Sequence, residues 1–322
     1  MLSDLWSLMM RFRGHRYALI SDITKAYHSL KTGVLEMHIR RIVWRYGDAN
    51  EKWRVFGLLV IAFGDRTAAA LLEIVIKMTV QMYGSIDLIA ARKIENGMFV
   101  DDVVTGGELE EVLRFKGTED PESYKCDGTV PDILARGGLR LKAMQMSGEE
   151  DGPKLEKLGG AVLEIKWSSQ EDMLYIDLSV NISRRKKGQL TGPALTVHDL
   201  NQLDDVQLTR RLCLSIANCI YDPCGLVSPM TIRMKVAMKM MFAQEYALTW
   251  DTQLPQELQK EWRQIIIDLV RVGEIPFPRS IRPRELKGRC SLVVFFDGSS
   301  KASRAVVYAI WMSLKRQRRC AW

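Results

Sequence analysis

The segment 97–107, GMFVDDVVTGG, constrains the fold of this chain more than any other. Two short apolar runs flank a pair of aspartates, Asp101 and Asp102, and glycines fence both ends. That pattern reads as a β-hairpin carrying carboxylates at its turn. A second apolar run, RYALISDI (16–23), reads as a buried strand that ends at another carboxylate, Asp22. Asp is a favoured turn residue, so a solvated hairpin accounts for a lone Asp pair. It does not account for the MFV that precedes this one. Three carboxylates at neighbouring strand ends repel unless a cation lies between them. Two divalent metal ions are the usual answer where a phosphoryl group is transferred.

Composition narrows the classes. The chain has 322 residues, 47% hydrophobic and 26% charged, which suits two or three packed modules rather than a disordered tail. Its net charge is +7, with the basic excess in 181–322 and an acidic middle in 101–180. That asymmetry points to a polyanion partner, although solvated Lys/Arg faces are common. Uninterrupted apolar stretches such as VFGLLVIAF (55–63) fall far below the ~20 residues that span a bilayer, so no membrane segment is expected. The opening MLSDLWSLMMRFRGHR puts its basic residues after the apolar ones, the reverse of a secretory signal. Cysteines 126, 213, 219, 224, 290 and 320 form no CxxC pair and have no neighbouring His. Free thiols in a reducing compartment are expected, not a zinc site.

Along the chain, TKAYHSLKTG (24–33) reads as a helix or turn, and HIRRIVWRYG and WRVFGLLVIAFG as strands divided by GDANEK. Residues 67–83 suit a helix with an apolar face. Residues 108–157 read as polar loops, and 161–180 as a hairpin. The basic stretch SRRKKGQLTGP (183–193) marks the clearest boundary. Three helical segments follow in 208–273, two of them separated by DPCGLVSP, and then strand, turn and strand in 288–312.

The ordered motifs resemble those of reverse transcriptases. FVDD (99–102) is similar to their aromatic-x-Asp-Asp box, and SDITKAYH (21–28) to their first palm motif. RGGLRLKAMQMS (136–147) resembles a later palm segment, and LGGAVLEIKW (158–167) the primer-grip hairpin. Downstream, 208–235, 250–262 and 275–283 look like the pol polyprotein of BEL/Pao-type LTR retrotransposons. VVFFDGSSKASRAVVYAIW (293–311) resembles the first hairpin of the RNase H domain in such polyproteins.

The resemblance implies an α+β architecture: a palm of antiparallel sheet and helices at 1–150, fingers missing, then a primer-grip-like hairpin and basic linker at 151–205. A helical thumb- or connection-like region at 206–285 and a truncated RNase H-like start at 286–322 complete it. Asp22, Asp101 and Asp102 would hold Mg2+ or Mn2+, and Lys142 would serve the pyrophosphate leaving group as acid or counter-charge. Tyr27, Phe63 and Gly64 would line the nucleotide, with Tyr27 excluding a 2′-hydroxyl. Gly159 and Trp167 would meet the primer, and Asp297 would be a remnant RNase H carboxylate. The implied reaction is RNA-directed DNA synthesis, with RNA or DNA template–primer, dNTP and the remaining polyprotein (protease, integrase) as partners. The implied location is the cytoplasm, in a virus-like particle or the cytosol, or the nucleus.

Departures set the expectation for this chain. Only 21 residues precede Asp22, and FGDRTAAALL (63–72) carries Ala68 and Ala69 where a Ser-Pro or similar pair is usual. After Glu285 the sole acidic residue is Asp297, followed by 25 residues. The sequence reads as a fragment or decayed copy from mid-polyprotein, not expected to polymerise by itself, with 286–322 poorly packed. A non-catalytic nucleic-acid-binding remnant is the rival reading.

Overall fold

A computed structural model of the chain describes residues 4–321 apart from 121–124, 151–160, 164, 177, 179, 183–184, 187–188, 191–192, 244–247, 284–287, 289 and 313–317. The chain forms two compact units, Met1–Leu163 and Glu164–Trp322. The division falls ahead of the basic stretch 183–193. It mixes helices with small sheets whose registered strand pairs are antiparallel.

The first unit is built on a four-stranded sheet. Strand β1 (Tyr17–Asp22) is central, and the hairpin strands β4 (Met98–Phe99) and β5 (Asp102–Gly107) lie on one side of it. A short strand, β6 (Gln145–Met146), lies on the other. All four internal residues of β1 are buried, which is why its sequence is continuously apolar rather than alternating. Helices α2 (Ala68–Tyr83), α3 (Leu88–Gly97), α4 (Leu109–Lys116) and α5 (Thr129–Arg136) enclose one core with it. Leu19 and Val103 from the sheet meet Leu72, Ile76, Ile94, Phe115 and Ile133 from the helices. Helix α1 (Leu5–Gly14), capped by the Asp4 carboxylate on the Ser7 N–H at 3.0 Å, also contacts β5. Strands β2 (Arg41–Trp44) and β3 (Arg54–Gly57) form a separate two-stranded ribbon.

Helices α1, α3, α4 and α5 of this unit went unread from the sequence. Segment 108–157 was expected to be loops, yet it holds α4 and α5. The signal for α4 was present: Glu108 and Glu111 make a reciprocal capping box, and Val112 and Phe115 face the core. Helix α3 starts where the Asp87 carboxylate accepts from the Ile89 and Ala90 N–H groups, each at 3.0 Å. The first-turn expectation at 24–33 resolves to a 3-10 turn at Tyr27–Ser29.

Helix α2 also qualifies the membrane reading. Together with the turn after it, Ala68–Ile86 spans 19 residues at hydropathy 1.3, long and apolar enough to cross a bilayer by those two measures. Leu72, Ile76 and Val80 bury one stripe in the core, while Ile74, Met78 and Met82 face outward beside the Glu73–Lys77 ion pair at 2.6 Å.

The second unit has a helical core. Helices α6 (Arg210–Ala217), α7 (Ser228–Met241) and α8 (Gln256–Val272) bring together Ile216, Met234, Met241, Trp262, Ile265 and Leu269. Burial at 258, 262, 265, 266 and 269 is the single apolar stripe that the 3.6-residue period dictates. Arg233 of α7 crosses to Glu261 and Asp268 of α8, each at 2.8 Å. Between α6 and α7 the Asp222 carboxylate accepts from the Leu226 and Val227 N–H groups at 2.9 and 2.8 Å, folding DPCGLVSP back into the helix start. Cys213, Cys219, Cys224 and Cys290 are free thiols, and burial pushes Cys213 up to about 12.

The hairpin of β7 (Ile165–Ser168) and β8 (Met173–Tyr175) belongs to this unit because β8 pairs with β9 (Phe277–Pro278). Below that pairing, Arg279 is fully buried and its guanidinium forks onto Asp172, Nε at 2.5 Å and Nη2 at 2.8 Å. Trp167 Nε1 donates to the same carboxylate at 3.2 Å.

The described part of 286–322 forms the strand–turn–strand expected there. Strands β10 (Cys290–Gly298) and β11 (Ser303–Met312) pair in continuous register from Cys290 opposite Trp311 to Gly298 opposite Ser303. A third strand, β12 (Arg318–Ala321), adds to β11, so part of the basic end is paired backbone rather than a loose tail. The expectation of exposed apolar strands holds for Leu292, Phe295 and Phe296, which face solvent.

Breaking a buried, forked ion pair leaves an uncompensated charge and costs about 3–5 kcal/mol. Arg279→Met should therefore lower the urea-unfolding stability of the chain by that amount. The double variant Arg279→Met/Asp172→Asn should lose less than the sum of the single changes. Strict additivity in that cycle would show that the pair does not hold β8 to β9.

Candidate carboxylate site

The site is assembled by the register of β1 against β5. Ser21 lies opposite Val103, and Asp22 opposite Asp102, so two carboxylate residues are direct cross-strand partners. Phe99 pairs with Asp102, which leaves Val100 and Asp101 as a two-residue turn. Val100 sits at φ 57°, a left-handed conformation that costs a β-branched residue on the order of 1–3 kcal/mol. The turn is held there from outside: the Ile23 N–H donates to the Asp101 carbonyl at 2.9 Å.

The segment after α5 closes the other flank. Thr24 N–H donates to the Arg140 carbonyl at 2.7 Å, Lys142 N–H to the Asp22 carbonyl at 2.8 Å, and Ser21 Oγ to the Lys142 carbonyl at 2.9 Å. These bonds bring the Lys142 ammonium onto Asp22 Oδ2, to which it donates. Asp22 Oδ1 is buried with no hydrogen-bond partner. Burial, and then the negative charge of Asp22, hold the Asp101 carboxyl above the usual aspartate range; Lys142 and Asp101's own backbone N–H oppose the shift.

Tyr27 belongs to the same neighbourhood. Burial and the charge of Asp101 push its phenol up. Its ring meets Phe63 edge-on at 5.3 Å, and His28 meets the opposite part of that pair at 5.2 Å. Phe63 itself is mostly exposed. Gly64 has φ 90° with open space where a Cβ would stand, so a side chain there is excluded by backbone conformation, not by crowding.

The structure thus sets Asp22 in register with Asp102, Asp101 on the adjoining turn, Lys142 on Asp22 and Tyr27 against Phe63, all within the first unit. Trp167 belongs to the second unit, where it is 2% exposed and its indole donates to Asp172. Gly159 lies outside the described residues. Asp297 is solitary and exposed on β10, opposite Arg304, and accepts from the next N–H, that of Gly298, at 2.9 Å.

Carboxylate oxygens are the donors that Mg2+ or Mn2+ prefers, and the orphaned Asp22 Oδ1 is an acceptor in want of a cation. Among the described residues, however, no three His, Cys, Asp or Glu side chains converge closely enough to hold a metal ion. Lys142 supplies the positive charge at Asp22 in this arrangement. The residue types fit a divalent ion, while the three-carboxylate geometry is not drawn together.

A carboxyl whose folded pKa is raised favours the protonated folded state. Its stabilising contribution is complete below the ordinary value of 3.8 and is lost as pH rises through the folded value. Asp101→Asn should therefore unfold at higher urea than the parent chain at pH 7, and this advantage should disappear below pH 3.8. A lower midpoint at pH 7 would show that the Asp101 charge is compensated and not a burden to the fold.

Residues 209–321, about a third of the chain, match the family described as Pao retrotransposon-like RNaseH-like domain. The match opens at Thr209, the cap of α6, and runs through the helical core to β12. No curated protein matches the chain. Among solved structures, it aligns with a foamy viral protease-reverse transcriptase in complex with an RNA/DNA hybrid at 13% identity and TM-score 0.45, covering 99% of this chain and 35% of that one. The foamy viral protease-reverse transcriptase dRH in complex with double-stranded DNA aligns at 12% identity and TM-score 0.39, covering 98% and 45%. The chain thus spans less than half the length of either structure.

Proposed function

We propose that this chain is a nucleic-acid-handling part of a BEL/Pao-type pol polyprotein, and that its first unit is a reverse-transcriptase palm. The observation that carries this reading is Asp22 in register with Asp102, with Asp101 at the adjoining left-handed turn and Lys142 on Asp22. The RNase H-like match over 209–321 supports it from an independent part of the chain.

In the proposed reaction a primer 3′-hydroxyl oxygen bonds to the α-phosphorus of a dNTP. The α–β phosphoanhydride breaks, pyrophosphate leaves with the bonding electron pair, and the hydroxyl proton passes to solvent water. Asp22, Asp101 and Asp102 would hold Mg2+ or Mn2+, which when bound activates the attacking oxygen and steadies the leaving group. The remaining work falls to side chains. Lys142 offsets the charge of Asp22, and its ammonium would serve the departing pyrophosphate as acid or counter-charge. Tyr27, braced by Phe63, forms the wall a 2′-hydroxyl would meet. Template–primer, RNA or DNA, is the proposed partner.

A second reading, nucleic-acid binding without catalysis, is favoured by the Lys142–Asp22 pair and by the missing convergence of three carboxylates among the described residues. Primer extension on an RNA template separates the two. Mg2+-dependent dNTP incorporation that falls by orders of magnitude in Asp101→Asn, with template binding kept, supports the palm; Tyr27→Ala should then admit rNTPs. Salt-sensitive binding without incorporation, and with no Mg2+-dependent rise in melting temperature, supports the second reading.

RNA hydrolysis is not expected. Two-metal cleavage needs several carboxylates around both ions, and among the described residues no three His, Cys, Asp or Glu side chains gather closely enough to hold one. An RNA–DNA hybrid incubated with Mg2+ or Mn2+ should stay intact. Cleavage abolished by Asp297→Asn would overturn this.

A further inference from the structure

The ribbon of β2 and β3 has an unusual surface for a two-stranded element. Neither face is packed into the core: Trp44, Tyr46 and Trp53 are 52%, 61% and 61% exposed. The register sorts its residues by face. Ile42 lies opposite Phe56 and Trp44 opposite Arg54, and Tyr46 continues that face beyond the strand end. Tyr46 meets Phe56 edge-on at 6.1 Å and carries the Arg54 guanidinium 5.5 Å above its ring. On the other face, Val43 lies opposite Val55, and Arg45 sits 4.5 Å over the Trp53 ring.

The charge pattern limits what can cover these rings. Within the paired strands every charged side chain is an arginine, Arg41 and Arg54, with Arg45 just beyond. The two carboxylates, Asp48 and Glu51, are confined to the connecting turn. Glu51 of the turn reaches Arg54 at 3.8 Å, while among the described residues Arg41 and Arg45 have no carboxylate partner, so an apolar protein groove would have to bury those two guanidinium groups without counter-ions. A strand of alternating flat rings and anions meets the pattern at both levels: bases stack on the exposed aromatics while phosphates pair with the arginine edges.

We infer that the Arg41–Gly57 ribbon is a binding surface for single-stranded nucleic acid, separate from the carboxylate site. Its sequence tolerance follows from the contacts, since stacking and phosphate pairing read no base edge. It adds a contact to the reading of the chain as a nucleic-acid-handling protein and rests on that reading for its biological setting.

The test is fluorescence anisotropy of the full chain with a labelled oligothymidylate, and in parallel with a blunt RNA–DNA hybrid that has no single-stranded end. The oligomer should bind, and Trp44→Ala and Tyr46→Ala should each weaken it about tenfold, as loss of one stacked base does. Trp44→Phe should restore most of the loss, and an abasic oligomer of equal length should bind all of these forms alike. Hybrid binding without oligomer binding, or equal affinity of the alanine variants and the parent, would overturn the ribbon and leave the palm reading standing. Failure of both ligands would remove both. A concentration-dependent dimer in sedimentation that Trp44→Ala abolishes would instead make the ribbon an interface between copies.

Discussion

The candidate site depends on the backbone register between β1 and β5. A one-residue slip would exchange the two faces of the sheet, sending Leu19 and Val103 out of the core and separating Asp22 from Asp102. The register is therefore fixed by burial, and the carboxylate arrangement is a consequence of it. Helices α3 and α4 reinforce this by packing against β5, with Gly97 so close to the Val104 carbonyl that a Cβ would collide with it. The apolar mass of the first unit thus specifies where three charges sit.

Holding those charges together has a cost that the fold distributes. Val100 is held in a left-handed conformation, Asp101 is partly buried against its electrostatic preference, and one oxygen of Asp22 is orphaned. Opposing them are the backbone bonds from Ile23 to Asp101 and from Lys142 to Asp22, together with the Lys142 ammonium. Backbone strain and a raised carboxyl are thus gathered at one turn, with the Lys142 ammonium as the counter-charge of Asp22. The second unit handles charge differently. Arg279, Asp172 and Trp167 satisfy one another inside the protein, and Arg210 donates its guanidinium to the Met241 and Leu248 carbonyls near the end of α7. Those charges are structural.

Arginine has a third use in the ribbon. Arg45 and Arg54 lie over exposed rings, with their edges in water, in a hairpin too small to bury its own faces. The same residue type therefore serves as a buried strut in one unit and as an exposed, ring-stacked cation in the other. Net charge alone does not distinguish these uses.

Much of this was legible in the sequence where the local pattern and the final packing agree. The strand ending at Asp22, the hairpin around Asp101 and Asp102, helix α2, the three C-terminal helices and the β10–β11 hairpin all carry their own periodicity and turn residues. Helices α1, α3, α4 and α5 were missed because each is short, and polarity outweighed their caps in a linear reading. The fate of individual residues depended on contacts distant in sequence. Lys142 reaches Asp22 across 120 positions, and Trp167 is enclosed because Arg279 arrives from 107 positions beyond Asp172. Sequence by itself determined the local elements and the acidic turn, since these follow from alternation, capping and glycine placement. Only the tertiary structure decided which charge met which, because burial and pairing depend on chain segments that no local pattern brings together.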